Sequence, residues 1–314
     1  MPVFGPVPSR RLGRSIGVNN IPPKSCTYAC VYCQVGRTTD MRMERRTFFT
    51  PEQLYDEVKT KLEEAENRNE HVDYLTFVPD GEPTLDENLE FTIEKLKDLG
   101  QKIGVITNSS IINREDVQSA LMKADWVSVK VDSVQRDVWK KINRPYPKLD
   151  LDVILEGILG FSRKFTGKLV TETLLVKGIN DDEENLRKNA VFISGLNPSA
   201  AYISTPIRPP AESWVKAADP ESLNRAYQIY SGEMTNVEFL INYEGDNFSL
   251  TGDIERDILS ITAVHPMRRQ AVLKVIEKGK GNNSILDNLV KQGALVRKEF
   301  KGEEFFLRAF TKKT

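Results

Sequence analysis

The chain has 314 residues, 39% of them hydrophobic and 28% charged, and this balance predicts a soluble globular protein rather than a disordered one. The start of the sequence lacks a signal-peptide pattern, and no later stretch approaches the roughly 20 apolar residues of a membrane span, so we expect a cytoplasmic protein. The net charge of −1 excludes an overall basic chain, although residues 263–314 carry 12 Lys and Arg against 5 Asp and Glu, a net charge of +7.

Short apolar runs alternate with amphipathic stretches up to residue 205, which is typical of strand–helix units around a parallel sheet. The predicted strands are residues 15–18, 73–78, 103–107, 126–131, 169–176 and 201–205. The predicted helices between them are residues 51–67, 86–99, 114–122, 150–165 and 181–196. Six strands are too few for a closed eight-stranded barrel, so we expect an α/β fold that forms an open partial (β/α)6 TIM-like barrel.

Polar residues and turn-forming residues follow the predicted strands. Residues 79–84 come after the strand that ends at Val78, Asn108 comes after the next one, and Asp132 and residues 205–210 follow two others. In barrels of this kind the chemistry lies at the carboxyl ends of the strands. The sequence therefore predicts a functional site at that rim.

The pattern changes beyond Gly252. Three short helical runs, residues 253–262, 266–278 and 284–292, precede two β-like stretches at 294–299 and 305–310. Three helices and a two-stranded wing predict a small winged-helix-like domain over residues 251–314, after a barrel domain over residues 1–250. The basic charge favours a nucleic acid as its partner, although such domains also dock proteins and a solvated basic face has the same composition.

The three cysteines, Cys26, Cys30 and Cys33, fall within eight residues and cannot form an even set of disulfides. Their spacing offers a 4Fe-4S cluster three of its usual four thiolates and leaves one iron open. S-adenosylmethionine (SAM) can fill that position through its amine and carboxylate. The alternative is a zinc site completed by His71 or His265, but both are far from the loop in sequence, whereas zinc ligands usually come in closely spaced pairs.

The segment Cys26-Thr27-Tyr28-Ala29-Cys30-Val31-Tyr32-Cys33 resembles the three-cysteine motif of the radical SAM superfamily. The resemblance covers residues 1 to about 245 and implies a partial barrel that cleaves SAM reductively to a 5′-deoxyadenosyl radical. Residues 5–13, 32–36 and 207–210 look like the branch related to wyosine-type tRNA base synthases. Those enzymes are expected to hold a second cluster on further cysteines, which this chain lacks, so we expect one cluster and leave the substrate open.

The resemblance also implies cofactor contacts. The segment Asp80-Gly81-Glu82-Pro83 stands where the superfamily has Gly-Gly-Glu-Pro, which binds the methionine amino group, although Asp80 departs from the first glycine. The alternative role of Glu82 is to cap the helix that follows. Further contacts to SAM are implied for the backbone of Val35 and Gly36, at the adenine, and for Ile179, as an apolar contact to the adenine face. Contacts to the ribose hydroxyls and the methionine carboxylate are implied for Asn108, Ser128 and Lys130. The alternatives are a surface turn for Asn108, an outward strand face for Lys130 and plain core for Ile179.

Four arginines, Arg10, Arg11, Arg37 and Arg208, either present planar forks of donors to an anionic substrate or form surface salt bridges. Glu172 points into the barrel or lies outside it in an ion pair. Three functions stay open: a radical enzyme acting on RNA or a small molecule, an activase that makes a glycyl radical on a partner protein, and an iron- or redox-sensing DNA-binding regulator. Either enzyme would need a reductant protein of the ferredoxin or flavodoxin type.

Overall fold

The structure is a computed structural model that describes residues 2–241, 252–264 and 266–309. The strands are β1 (Val3–Ser9), β2 (Gly13–Val18), β3 (Ser25–Cys26), β4 (Asp40–Met41), β5 (Tyr74–Phe77), β6 (Lys102–Thr107), β7 (Trp126–Lys130), β8 (Lys168–Leu174), β9 (Ala200–Ser204), β10 (Val237–Leu240), β11 (Met267–Arg268), β12 (Leu295–Phe300) and β13 (Glu303–Arg308). The helices are α1 (Pro51–Glu66), α2 (Leu89–Lys97), α3 (Glu115–Met122), α4 (Arg136–Asn143), α5 (Leu151–Ser162), α6 (Glu183–Ser194), α7 (Pro220–Glu233), α8 (Ile254–Val264), α9 (Arg269–Lys278) and α10 (Ser284–Lys291).

The main sheet has eight strands in the order β1-β2-β5-β6-β7-β8-β9-β10. Strand β1 pairs antiparallel with β2, and every later pair in the sheet is parallel. The six predicted strands are β2 and β5 to β9, in the predicted order, and the α/β partial-barrel fold is confirmed. The sheet also contains β1 and β10, which the sequence pattern did not indicate.

The parallel strands β5 to β9 are largely buried on both faces, as expected when helices cover one side and the barrel interior the other, whereas the edge strand β10 exposes Glu238 and Phe239. In β7, Val127 and Val129 belong to the core beneath the helices, whereas Trp126 packs inside with Val170 and Tyr202 of the neighbouring strands. Because side chains alternate along a strand, Lys130 and Glu172 share the inner face with Trp126 and Val170. The alternation therefore places the side chains of Lys130 and Glu172 inside the barrel rather than on its outer face.

Local signals in the sequence explain where α1 begins. The Thr50 hydroxyl accepts a hydrogen bond from the Gln53 backbone N–H at 3.2 Å, and the Gln53 side chain accepts one from the Thr50 N–H at 3.0 Å. This reciprocal cap satisfies two N–H groups that the helix itself leaves unpaired, and Pro51 suits the first helical position. The helix begins at the predicted residue.

The C-terminal part contains α8, β11, α9, α10, β12 and β13, with an antiparallel sheet in the order β11-β13-β12. Its core includes Ile258, Val272 and Phe306, and Phe4 and Val7 of β1 pack into the same cluster. The winged-helix-like domain stays a prediction. The proposed boundary near residue 250, His265 and the predicted strand end at Phe310 lie outside the described residues. None of the helices within the described ranges has the length and apolarity needed to cross a bilayer.

Candidate active site

All three cysteines line one cavity of about 190 Å³ at the carboxyl ends of β5 and β6. Backbone hydrogen bonds hold their loop against the end of α4: the Ala29 N–H donates to the Asn143 carbonyl and the Val31 N–H to the Ile142 carbonyl, both at 3.0 Å. The Cys33 N–H donates to the Cys30 carbonyl at 3.1 Å. The polypeptide alone therefore gathers the three thiols around one space.

Most of the predicted cofactor contacts line the same cavity, namely Val35, Gly36, Gly81, Glu82, Asn108 and Lys130. Two predicted contacts, Ser128 and Ile179, are not among its lining residues. Ser128 is buried on the inner face of β7, one step below Lys130. Ile179 packs in the core behind the cysteine loop with Val31 and Tyr32. Their role in binding SAM stays a prediction without support from this cavity.

Gly81 allows the loop after β5 to approach the cysteine loop. A Cβ atom at this position would lie 2.0 Å from the backbone oxygen of Ser25, far inside contact distance. The next residue, Glu82, donates its backbone N–H to the same oxygen at 3.1 Å. Any side chain at position 81 would therefore push the two loops apart.

The Glu82 carboxylate is buried and already accepts several hydrogen bonds. Its Oε1 accepts from the Thr84 N–H at 3.1 Å and from the hydroxyls of Thr84 and Thr107 at 2.6 and 2.7 Å, while Oε2 accepts from the Asn108 N–H at 2.7 Å. Burial raises the pKa of Glu82, although these hydrogen bonds oppose the shift. The residue thus caps the turn at Pro83–Leu85 and also lines the cavity, where Oε2 has a lone pair for a second donor.

Two asparagine amides donate to cysteine sulfurs. Asn108 Nδ2 lies 3.4 Å from Cys26 Sγ and 2.8 Å from Thr27 Oγ1. Asn143 Nδ2 lies 3.4 Å from Cys30 Sγ and 2.7 Å from Asp132 Oδ2. Hydrogen bonds to sulfur are one of the means by which proteins set the potential of an iron–sulfur cluster. Sequence reasoning missed Asn143, which no local pattern distinguishes.

Asp80, which replaces a glycine of the superfamily pattern, lines the cavity in an ion pair with Lys24. Its side chain is fully buried, and Oδ2 has no hydrogen-bond partner among the described residues. Burial raises the pKa of Asp80 to about 7, although Lys24 opposes the shift. Because buried acceptors are rarely left unsatisfied, this oxygen marks a place for a donor from a bound group.

The three thiols suit a cluster better than a single zinc ion. Burial raises the pKa of all three thiols, that of Cys30 to about 12. The thiols of Cys26, Cys30 and Cys33 therefore keep their protons until a metal displaces them. His71 is 79% exposed and pairs with Asp73. Asp73 precedes β5, so it lies at the amino ends of the strands, opposite the cavity at their carboxyl ends. Within the described ranges, no three His, Cys, Asp or Glu side chains converge on one metal ion. In a four-iron cluster each thiolate binds a different iron, which fits three cysteines spread around one cavity.

A second chamber of about 280 Å³ adjoins the first and shares Tyr32, Cys33 and Lys130 with it. Three of the four arginines singled out in the sequence, Arg10, Arg11 and Arg208, line this chamber. The fourth, Arg37, is 71% exposed and pairs with Glu212 at 3.1 Å, as its surface alternative predicted.

The sequence and the fold of the chain can be compared with those of known proteins. A sequence model of the Radical SAM superfamily matches residues 20–190, more than half of the chain. The chain belongs to this superfamily. Its members are enzymes that use a 4Fe-4S cluster and SAM, so the chain is a radical SAM enzyme with these two cofactors.

A UPF0026 protein of Methanocaldococcus jannaschii is 44% identical over 307 residues, which cover 97% of this radical SAM chain and 95% of that protein. A solved radical SAM methyltransferase from Sphaerobacter thermophilus has a TM-score of 0.52 at 16% identity, over 72% of this chain and 66% of that one. The structure of TYW1 with a lysine-pyruvate adduct bound has a TM-score of 0.52 at 15% identity, over 71% of this chain and 75% of that one. At these identities the two structures support the fold alone.

Proposed function

We propose that this enzyme holds its cluster through Cys26, Cys30 and Cys33, binds SAM at the open iron, and uses the resulting 5′-deoxyadenosyl radical to take hydrogen from a substrate. The observation that carries the proposal is the shared cavity, which brings the three cysteines together with Gly81 and Glu82 from a distant part of the chain. A cluster with three protein thiolates keeps one iron free for a further ligand.

When bound, the cluster held by Cys26, Cys30 and Cys33 would pass one electron from the protein reductant to SAM, and the S–C5′ bond would then break to give methionine and the 5′-deoxyadenosyl radical. The protein's contribution is to bind and orient SAM. In this proposal the Glu82 carboxylate and Asp80 Oδ2, which has no partner among the described residues, accept hydrogen bonds from donor groups of SAM, the N–H groups of its amine among them. The backbone at Val35 and Gly36 contacts the adenine.

Lys130 is proposed to face the methionine carboxylate. Its ammonium lies 3.5 Å from the Glu172 carboxylate and 5.1 Å from the centre of the Tyr32 ring. Burial opposes its charge, but Glu172 and Asp132 outweigh burial and raise the pKa of Lys130. The side chain therefore stays a cation on the wall that the two chambers share.

Uncoupled turnover tests the proposal. The anaerobically reconstituted protein, reduced by dithionite without substrate, should convert SAM to methionine and 5′-deoxyadenosine in equal amounts. Cys30→Ala should abolish the conversion together with the cluster, and Arg163→Gln, an exposed residue at the end of α5 that lines neither cavity, serves as the control. A protein with four irons that forms no 5′-deoxyadenosine would refute the proposal and favour a sensor.

For the C-terminal residues 253–314 we propose a nucleic acid as the partner. The support is the net charge of +7 over residues 263–314. Part of this charge is paired, since Arg268 contacts Glu303 and Arg269 contacts Glu304, but Lys291 and Lys301 are exposed. A protein reductant of the ferredoxin or flavodoxin type is the second proposed partner.

A further inference from the structure

We propose that the second chamber binds the substrate through an anionic group, a carboxylate or a phosphate, which contacts Arg11 and Arg208. The inference rests on the proposed function, because a chamber next to the SAM cavity is a substrate chamber only if a radical forms there. It goes further by assigning the chemical class of the substrate.

The position of the chamber is the first argument. Tyr32, Cys33 and Lys130 belong to the walls of both spaces, so the chamber opens beside the third cysteine. Gln34, the residue after Cys33, accepts hydrogen bonds at Oε1 from the backbone N–H groups of Ile207 and Arg208, at 3.1 and 2.8 Å. The segment that carries Arg208 is thereby fixed to the cysteine loop.

The charge of the lining is the second argument. Among the described residues that line the chamber, four are cations, Arg10, Arg11, Lys130 and Arg208, and Glu172 is the one carboxylate. Burial opposes ionisation of Glu172, but Arg11, Lys130 and Arg10 outweigh burial and hold the pKa of this carboxyl well below its usual range. Even with Glu172 fully ionised and Lys130 facing the carboxylate of SAM, the three arginines leave the chamber positive, so an anion suits it best.

The donors of Arg11 are the third argument. One Nη of its guanidinium donates to Glu172, and its buried Nε has no hydrogen-bond partner in the part of the chain that the structure describes. Glu172 also accepts from the Ser204 hydroxyl at 3.0 Å and from Lys130 at 3.5 Å, so it is already well supplied with donors. Arginine forks match the oxygens of carboxylates and phosphates, and about 280 Å³ admits a small molecule or the end of a larger one.

The test uses the reconstituted holoenzyme with saturating SAM and two probes, inorganic phosphate and malonate, each compared with sodium chloride at equal ionic strength. The thermal unfolding midpoint should rise saturably with at least one probe. Response to phosphate alone assigns a phosphate-bearing substrate, and response to malonate alone assigns a carboxylate. Arg208→Gln should lower the affinity for the responding probe at least tenfold. Arg37→Gln, on the surface outside the chamber, should leave that affinity unchanged.

A second variant covers the case in which Arg208→Gln does not fold. The double variant Arg11→Gln with Glu172→Gln removes this ion pair as a unit, while the Asp132 carboxylate still offsets the charge of Lys130, and it should weaken binding of the probe equally. No saturable response beyond that of chloride, or equal weakening by Arg37→Gln, would overturn the inference. Uncoupled SAM cleavage is measured on the same samples: intact cleavage without anion binding refutes the anion site alone, and absent cleavage refutes the proposed function.

Discussion

Replacing Glu82 by Gln removes one buried charge at constant size. The carboxylate accepts from two backbone N–H groups, those of Thr84 and Asn108, whose positions are fixed, and from two threonine hydroxyls that can rotate. A glutamine amide offers one oxygen and one NH2 group. Whichever way the amide is turned, its NH2 group faces one of the two fixed N–H donors.

The magnitudes follow from that geometry. One backbone donor left unsatisfied in a buried site costs about 1 to 3 kcal/mol of folding stability. The loss of a charged acceptor for SAM costs about 1.5 to 3 kcal/mol of binding free energy, which is about tenfold to a hundredfold in affinity. The cluster should assemble normally, because Cys26, Cys30 and Cys33 are unchanged.

Anaerobic calorimetry measures the SAM affinity, and urea unfolding measures the stability. Glu87→Gln is the matched control, because Glu87 is exposed on the same segment, and it should alter neither quantity. If Glu82→Gln lowers stability as expected but leaves SAM affinity unchanged, Glu82 only caps its turn and the assigned contact to SAM is wrong.

Three further outcomes are expected. Reconstituted protein should contain about four irons, and Cys26→Ala should lose the cluster; iron near eight per chain would contradict the single site. Asn143→Ala should make the reduction potential of the cluster more negative by tens of millivolts, on the order of the energy of one hydrogen bond, because the Asn143 N–H toward Cys30 Sγ stabilises the more negatively charged reduced cluster. A redox titration followed by electron paramagnetic resonance measures this potential, and an unchanged value would contradict the prediction. Nucleic-acid binding should weaken steeply with salt. The double variant Lys291→Gln with Lys301→Gln should make the slope of log binding constant against log salt concentration shallower by about 0.9 for each phosphate that it no longer neutralises. Binding of tRNA and DNA that does not depend on salt would contradict a nucleic acid as the partner of residues 253–314.

The elements that the sequence predicted best have strong local signals. The helix α1 has its cap and proline in sequence, and the parallel strands are short runs rich in apolar residues between amphipathic stretches. Strand β1 was missed because Pro6 and Pro8 argue against a strand, yet it is an edge strand, where a missing N–H is tolerated. Helix α4 was missed because only Trp139, Ile142 and Asn143 of its residues are buried, which is too few for a clear apolar stripe.

The same division holds in the site. The cysteine loop and the segment with Gly81 and Glu82 could be found because each motif is continuous in sequence. The partner of Cys30 could not, since Asn143 lies 113 residues away and reaches the sulfur only through the packing of α4. The interior position of Glu172 likewise depended on strand register, which composition does not reveal.

Asn108 links the two halves of the cofactor site. Its backbone N–H donates to Glu82, and its side-chain amide donates to Cys26 Sγ. If Glu82 contacts SAM as proposed, Asn108 joins that carboxylate to a cluster ligand, and we expect a coupling free energy between the two cofactors, which is reciprocal. SAM should therefore slow the removal of iron by a chelator, and the cluster should raise the affinity for SAM by the same free energy. We accordingly expect the two cofactors to bind as one cooperative unit.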